Sequence, residues 1–532
     1  MSRLFTPTRL FVAVVAATLS TQAMSAGLDR SGQDMSAFLQ DGTYAEAVYT
    51  YFDADVTGHD NADFGSQTNF EKGNEFDDIA PDYDFFRYGV KTDVNDTLSV
   101  GVLYDEPFGA QAAYTGDNDF TGTSAKVAAG VLDNTRLTGL ANTGDKIEQL
   151  QAAQQNDSNP INQIIYSSAL AGLQNSQANF ASLPEYPTIE QINEVIAASE
   201  QSIAQSEATL NNPPIPLPPE TEALGRQLVE QNKADLDRIR AARDTALSLA
   251  TNDAGNTEVE VRTYNLSLIG GVKLGEDKRF QVYGGPVLQR AEADVKLRGN
   301  AYGAATGYNA TVAPDLATGW LAGISYSIPE IALKAALTYR SEIEHETDVA
   351  EEYPVLAAQG LPTTATMENT VTTPESVNLN FQTGLSQEHQ LLGTLNVRWV
   401  PWSDFAITPP LYNAASKLRY PQGLDLINYS EDQWQVDVGL GKRLTPKLAV
   451  SGVVGWDSGA GNPVTSLGPV EGYWSVGGGA KYNVTDEWAV SLGGKYLMFG
   501  DATGSLPDGT IVSRAEDNDG YAMGVKLSYQ SQ

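Results

Sequence analysis

The chain has no cysteine, which excludes disulfides, thiolate metal sites and thiol nucleophiles. Histidine is almost as scarce: His59, His345 and His389 lie far apart in sequence and offer little for a histidine metal site or a Ser-His-Asp triad. Basic residues are few, 33 Lys and Arg against 67 Asp and Glu. The formal charge of −34 leaves no broad basic surface, so nucleic-acid partners are excluded. Beyond residue 26 no apolar run approaches the roughly 20 residues that a spanning helix needs. Even so, 41% of the 532 residues are apolar and 49 are glycine, the composition of an ordered chain with many turns rather than a disordered acidic tail.

The amino terminus reads as an export signal. Arg3 and Arg9 precede an apolar run from Leu10 to Leu19, and Ala23-Met24-Ser25 places small residues at a cleavage site. Residues 1–25 are therefore a signal peptide and the mature chain starts at Ala26. The mature protein is then either soluble and exported, or a β-barrel of the Gram-negative outer membrane, whose strands carry a weak signal each.

Period-two patterning favours the barrel. From 331 to 344 one face reads Ile331, Leu333, Ala335, Leu337, Tyr339, Ser341, Ile343, and the other Ala332, Lys334, Ala336, Thr338, Arg340, Glu342, Glu344. Similar alternation recurs through Leu448–Asp457, Trp488–Met498 and Tyr521–Tyr529. Soluble strands average five or six residues, whereas these run to ten or more with aromatics at their ends. Strands are expected near 44–56, 82–94, 97–110, 258–274, 279–298, 317–328, 331–346, 373–385, 390–405, 431–443, 447–457, 473–483, 487–499 and 519–530. That is an all-β, fourteen-stranded antiparallel transmembrane barrel. Its short turns alternate with long polar loops, and its even strand count places both termini in the periplasm.

Four further segments follow. Residues 26–43 precede the first strand, 44–110 carry strands one to three, 111–256 form an extracellular insertion, and 257–532 carry strands four to fourteen. Within the insertion Ile189, Ile192, Ile196 and Ile203 share a helical face, with Thr188 and Gln191 spaced as a capping box. Leu224, Leu228, Leu236, Ile239 and Leu249 suggest a returning helix, and Pro213, Pro214, Pro216, Pro218 and Pro219 a stiff bend that forbids helix between them.

Two features carry candidate chemistry. The inner faces direct Lys273, Lys334, Arg340, Arg398, Lys481, Lys495 and Lys526 into the lumen, some to pair with Glu342 or Asp437. Any left over are suited to a carboxylate head whose tail lies against apolar walls. The third strand alternates through Leu98, Val100, Val102 and Tyr104, then meets Glu106-Pro107-Phe108-Gly109. Pro107 lacks the N–H that a neighbouring strand would accept, so the ladder is expected to open there. Replacing both Pro107 and Gly109 by valine is expected to close it.

The sequence Tyr339-Arg340-Ser341-Glu342-Ile343, together with Trp402-Ser403-Asp404-Phe405, Pro107-Phe108-Gly109 and Ala26-Gly27, resembles the long-chain fatty-acid transporter (FadL) family of outer-membrane proteins over residues 26–110 and 256–530. The resemblance implies passive uptake of a long-chain fatty acid or other hydrophobic small molecule by a monomer set among outer-membrane lipid and lipopolysaccharide, with no cofactor, no metal and no catalysis. It implies a plug from the N-terminal segment, whose apolar residues are Leu28, Met35, Phe38 and Leu39, and a sideways exit at the kinked third strand. The chain departs from the family in its short N-terminal segment without an Asn-Pro-Ala motif, its helical insertion and its ending Tyr529-Gln530-Ser531-Gln532.

Other classes remain open at this point. His345, between Glu344 and Glu346, is the one histidine flanked by carboxylates on both sides, and is expected to be a solvated loop residue. Asp117-Asn118-Asp119 and Glu516-Asp517-Asn518-Asp519 lack full EF-hand spacing, so no calcium site is assigned. A general or cation-preferring porin, and a surface adhesin that uses the barrel as an anchor, are the alternative functions.

Overall fold

A computed structural model describes residues 28–63, 65–122, 124–213, 215–251 and 255–531; the export signal lies outside the described residues. Fourteen strands close a barrel. They are β1 (Thr43–Asp55), β2 (Tyr83–Asp93), β3 (Leu98–Asp105 and Gly109–Ala113), β4 (Glu258–Leu274) and β5 (Phe280–Lys296). Next come β6 (Asn309–Ile328), β7 (Leu333–Arg340 and Ile343–Glu352), β8 (Thr364–Thr373 and Ser376–Ser386), β9 (Leu391–Val400) and β10 (Gln433–Arg443). The last are β11 (Leu448–Asp457), β12 (Glu471–Asn483), β13 (Trp488–Gly500) and β14 (Asp519–Ser531). Each pairs antiparallel with its sequence neighbour, and β1 closes on β14 from Thr43 opposite Ser531 to Asp55 opposite Asp519.

Alternation sets the faces. In β1 the even-numbered residues from Tyr44 to Ala54 are buried towards the lumen. The outer face is apolar and exposed, with Val90, Ile324, Leu440, Leu492 and Met523 among its residues. Aromatics ring it at both ends: Phe280, Tyr482 and Trp488 near the short turns, and Trp320, Trp434, Trp474, Tyr496 and Tyr521 near the long loops. Among the described residues no helix is long and apolar enough to cross a membrane. A closed barrel with an apolar band between aromatic girdles is an outer-membrane β-barrel.

Two expectations about the strands need correction. β6 begins at Asn309 and the eighth strand at Thr364, both earlier than the alternation suggested. The seventh strand is not continuous either, because Ser341-Glu342 leaves the ladder opposite Pro374-Glu375. Pro374 has no N–H to give, and at the break Ser341 and Glu342 together take the place of one residue, which shifts the alternation by one and inverts which face the next residues occupy. Beyond the break Ile343, His345, Thr347, Val349 and Glu351 are buried. Glu342 and Glu344, expected inward, are exposed.

The connection from β3 to β4 carries four helices: α1 (Ala125–Asn156), α2 (Pro160–Ala181), α3 (Ile189–Asn211) and α4 (Pro219–Thr251). At the start of α3, Gln191 N–H donates to Thr188 Oγ1 (3.3 Å) and Thr188 N–H to Gln191 Oε1 (2.9 Å). Such a cap contributes about 1 kcal/mol. Pro219 does not forbid helix. It is the first residue of α4, where its missing N–H would have had no partner within the helix. Over the same end of the barrel lie a small five-stranded sheet and helix α5 (Pro410–Ser416).

Candidate functional site

Residues 28–42 fold back inside the barrel. The segment enters as a strand fragment: Asp29 bridges Phe108, Arg30 N–H donates to the Pro107 carbonyl (2.7 Å) and Gly109 N–H to the Leu28 carbonyl (2.6 Å). It then turns at Gly32 and Gln33, both in the left-handed region. Met35, Ala37, Phe38 and Leu39 bury against Leu103, Ile269, Tyr283, Leu321 and Ala336. Phe38 fits because two wall positions have no side chain. A Cβ on Gly101 would stand 2.8 Å from its ring, and one on Gly271 3.0 Å.

Charge fixes the same segment. Arg398 Nε and Nη2 reach Asp29 at 2.5 and 3.0 Å, and Arg398 Nη1 donates to Asn378 Oδ1 (2.8 Å). Asn378 Nδ2 in turn donates to the Gly32 carbonyl (2.8 Å). Arg87 pairs with Asp34 at 2.9 Å. Other lumen cations pair with the wall: Lys495 with Asp437 (2.8 Å), Lys273 and Lys91 with Asp93 (3.0 and 2.6 Å), and Lys526 with Glu46 (3.6 Å). Lys481 is half-buried on β12. Lys334 and Arg340 differ. Lys334 donates to the Leu39 carbonyl, and Arg340 reaches only Ser267 Oγ (3.4 Å) and the Met35 sulfur (3.5 Å). Neither meets a carboxylate at ion-pair distance among the described residues, and Arg340 Nε has no hydrogen-bond partner there.

Three cavities among the described residues bear on the lumen and the loops above it. Beside the plug, one of about 120 Å³ is walled by Asn378, Asn380, Asn396, Gln435, Lys334 and Arg398. Amides and charges share this cavity with Leu39, Ala336, Phe381 and Val397. Above the plug, a narrow apolar chamber of about 40 Å³ lies between Leu28, Phe108, Val261, Trp402, Phe405 and His345. Among the long loops, a larger cavity of about 360 Å³ is lined by Tyr302, Tyr353, Leu356, Tyr412, Leu418 and Leu467.

The backbone ladder in the wall of the chamber is interrupted beside Phe108. β2 and β3 are paired only from Tyr88 opposite Tyr104 to Asp93 opposite Ser99. Residues 83–87 of β2 pair with β1 but make no ladder with β3. On the other side the β3–β4 register slips by one residue between Asp105 and Gly109. The contact across the breach is from a side chain, with Phe86 N–H donating to the Glu106 carboxylate (3.4 Å). Its outer lip is aromatic: Tyr49 and Phe86 rings lie 5.2 Å apart, and Tyr88 and Tyr104 5.8 Å. On its inner side Phe108 is buried edge-on against Trp402 at 5.5 Å.

No family model and no curated protein matches the chain. Solved structures do. A Pseudomonas aeruginosa FadL homologue superposes with a TM-score of 0.54 at 11% identity, covering 97% of this chain and 99% of that one. The barrel has the FadL-type fold. The Pseudomonas putida toluene transporter TodX matches at a TM-score of 0.46 and 8% identity, covering 98% and 97% of the two chains. The CymD monoaromatic hydrocarbon channel matches at 0.43 and 9%, covering 98% of each.

The structure thus brings Glu106, Pro107, Phe108 and Gly109 together with Leu28 at one breach, and gathers Met35, Phe38 and Leu39 in the plug core. It separates Lys273 and Lys495, each held by a wall carboxylate, from Lys334 and Arg340. His345 was misjudged from sequence. It is buried, with Nδ1 2.9 Å from Asp315 and Nε2 3.0 Å from Gln289 Oε1. The available signal was Pro374, whose place in an otherwise regular strand marks the break that turns His345 inward.

Proposed function

We propose that this barrel carries hydrophobic molecules passively across the outer membrane, long-chain fatty acids foremost, and releases them sideways into the bilayer. The observation that carries this is the breach between β2 and β3, aromatic on its outer lip and opening from an apolar chamber. An apolar solute leaving there avoids the aqueous periplasm, whereas a polar solute gains nothing by entering lipid. The cavity among the long loops suits first capture, since its lining is mostly aliphatic and aromatic. Half-buried Lys334 and buried Arg340, without an ion-pair partner among the described residues, offer donors to a fatty-acid carboxylate.

A porin for small polar solutes is the weaker assignment, because the N-terminal segment lies pinned in the lumen where such a channel carries water. Proteoliposomes holding the purified barrel decide the matter. Uptake of oleate or toluene above the rate of empty vesicles, without swelling in sugar solutions, is the expected result. Sugar swelling with no hydrophobic uptake would overturn the proposal.

A further inference from the structure

The barrel wall opens a second time, far from the β2–β3 breach. β6 and β7 are paired from Leu333 opposite Ile328 to Arg340 opposite Leu321, and again from Val349 opposite Val312 to Glu352 opposite Asn309. Ser341 N–H still reaches the Trp320 carbonyl at 3.0 Å. Between these stretches, residues 313–319 and 342–348 form no ladder with each other. Both edges are firm, because β6 is paired there with β5 through Asp315 opposite Ala291, and β7 with β8 through His345 opposite Val371. The sequence reasons are local. Pro314 has no N–H, the β5–β6 register slips between Ala291 and Ala293, and β7 skips two residues at Ser341-Glu342.

Side chains span this gap in place of a ladder. His345 Nδ1 meets Asp315, and Thr347 Oγ1 donates to the Ala313 carbonyl (2.6 Å). Below them Gly319 leaves a notch that Ile343 fills: a Cβ on Gly319 would stand 2.6 Å from Ile343 Cγ1. Outside, Trp320 and Tyr339 lie 5.1 Å apart at the membrane edge, and Leu316 is 60% exposed. Inside, Val312, Asp315, His345 and Thr347 form one side of the same apolar chamber that Phe108 borders on the other. The chamber therefore lies between two breaches, and release needs only one of them.

We propose that the β6–β7 breach is a side entrance, through which slender apolar molecules gathered at the outer surface of the membrane pass Ile343 into the chamber. A single aromatic ring or an unbranched chain suits the narrow notch and chamber. This rests on hydrophobic uptake as proposed above and adds a route that bypasses the cavity among the loops.

The absence of native cysteine makes the test clean. Thr318→Cys with Glu344→Cys places two exposed thiols on the outer face of the gap. A short bifunctional methanethiosulfonate then bridges them, with completeness read by mass spectrometry. Bridging should slow toluene uptake into proteoliposomes several-fold, and reduction should restore it. The same reagent on Val438→Cys with Val454→Cys, which face each other across the intact β10–β11 ladder, should change nothing. Full-rate uptake after complete bridging, or equal slowing by the control bridge, overturns the entrance. A protein that takes up no hydrocarbon even before bridging fails the earlier proposal instead.

Discussion

Arg398 clasps Asp29 through two nitrogens on two oxygens, in a part of the lumen where both side chains are almost wholly buried. The pair joins β9 to the segment folded inside the barrel, so it acts as a rivet between that segment and the wall. Breaking one side of such a buried pair leaves an uncompensated charge and costs roughly 3–5 kcal/mol. Arg398→Ala should therefore loosen the plug while the strands stay paired. The expected outcome is sugar-dependent swelling of proteoliposomes and faster proteolysis near residues 28–42, with gel mobility before and after heating unchanged. Swelling as low as in the unaltered barrel would show that the plug is held without this pair.

Closing the β2–β3 breach should slow hydrophobic uptake. Valine at both Pro107 and Gly109 is a poor design in this structure, because a Cβ on Gly109 would stand 2.7 Å from the Arg30 guanidinium and 2.8 Å from the Val261 carbonyl. Pro107→Val alone returns an N–H to the break without that collision. Uptake of oleate is expected to fall several-fold in a barrel that still shows heat-modifiable migration; an unaltered rate would place the exit elsewhere.

Lys334 and Arg340, which meet no carboxylate at ion-pair distance among the described residues, should distinguish ligands by their heads. Arg340→Ala and Lys334→Ala each remove a donor that a carboxylate can use, an effect of about 1.5–3 kcal/mol for a hydrogen bond to a charged group. Fatty-acid binding, measured by tryptophan quenching or calorimetry, should weaken accordingly, while binding of an alkane of equal length changes little. Equal losses for both ligands would assign the residues a purely structural role.

Acid should open the loops over the large outer cavity at a pH set by Asp508. Burial opposes its ionisation, but hydrogen bonds from Thr510 and Tyr420 prevail and hold its carboxyl below the ordinary value. The Tyr420 hydroxyl donates at 2.8 Å. A carboxyl depressed by folding stabilises the loop above its unfolded pKa, and that contribution is lost as pH falls through the folded one. Amide exchange in residues 506–510 should thus stay slow at neutral and mildly acidic pH and quicken only below the usual carboxylate range. Tyr420→Phe should move that onset upward; an onset left in place would mean the hydroxyl does not stabilise the ionised form.

The fold was legible where chemistry repeats. Long alternating strands with aromatic ends reveal a barrel because lipid and lumen impose opposite demands on neighbouring residues. Pro107 was legible for a different reason, since a proline among ladder residues has few places to go. The break at Ser341-Glu342 was hidden because the apparent alternation runs straight through it to Glu344, and neither residue resists a strand. Its cause sits on the neighbouring strand, at Pro374, and only pairing reveals that the two are opposite each other. With the break unseen, Glu342 was assigned to the inner face and His345 to a solvated loop, and each is found in the other setting. Helices α1 and α2 escaped for lack of a stripe: both are rich in Ala, Asn and Gln, and most of their stability comes from packing that one sequence window does not display.

The seam between β1 and β14 has a bearing on biogenesis. Thirteen residue pairs join the first strand to the last, so the cylinder cannot shut until the final segment of the chain has arrived. By then residues 28–42 must already be inside, because their partners Ser376, Asn378 and Arg398 face inward from the opposite wall. Threading a polar segment into a finished cylinder would strip water from Asp29 and Arg398 before either had found the other. Docking of the N-terminal segment onto β8 and β9 before the seam zips avoids that cost, and the seam itself joins segments far apart in the chain, a contact of high loop-closure cost.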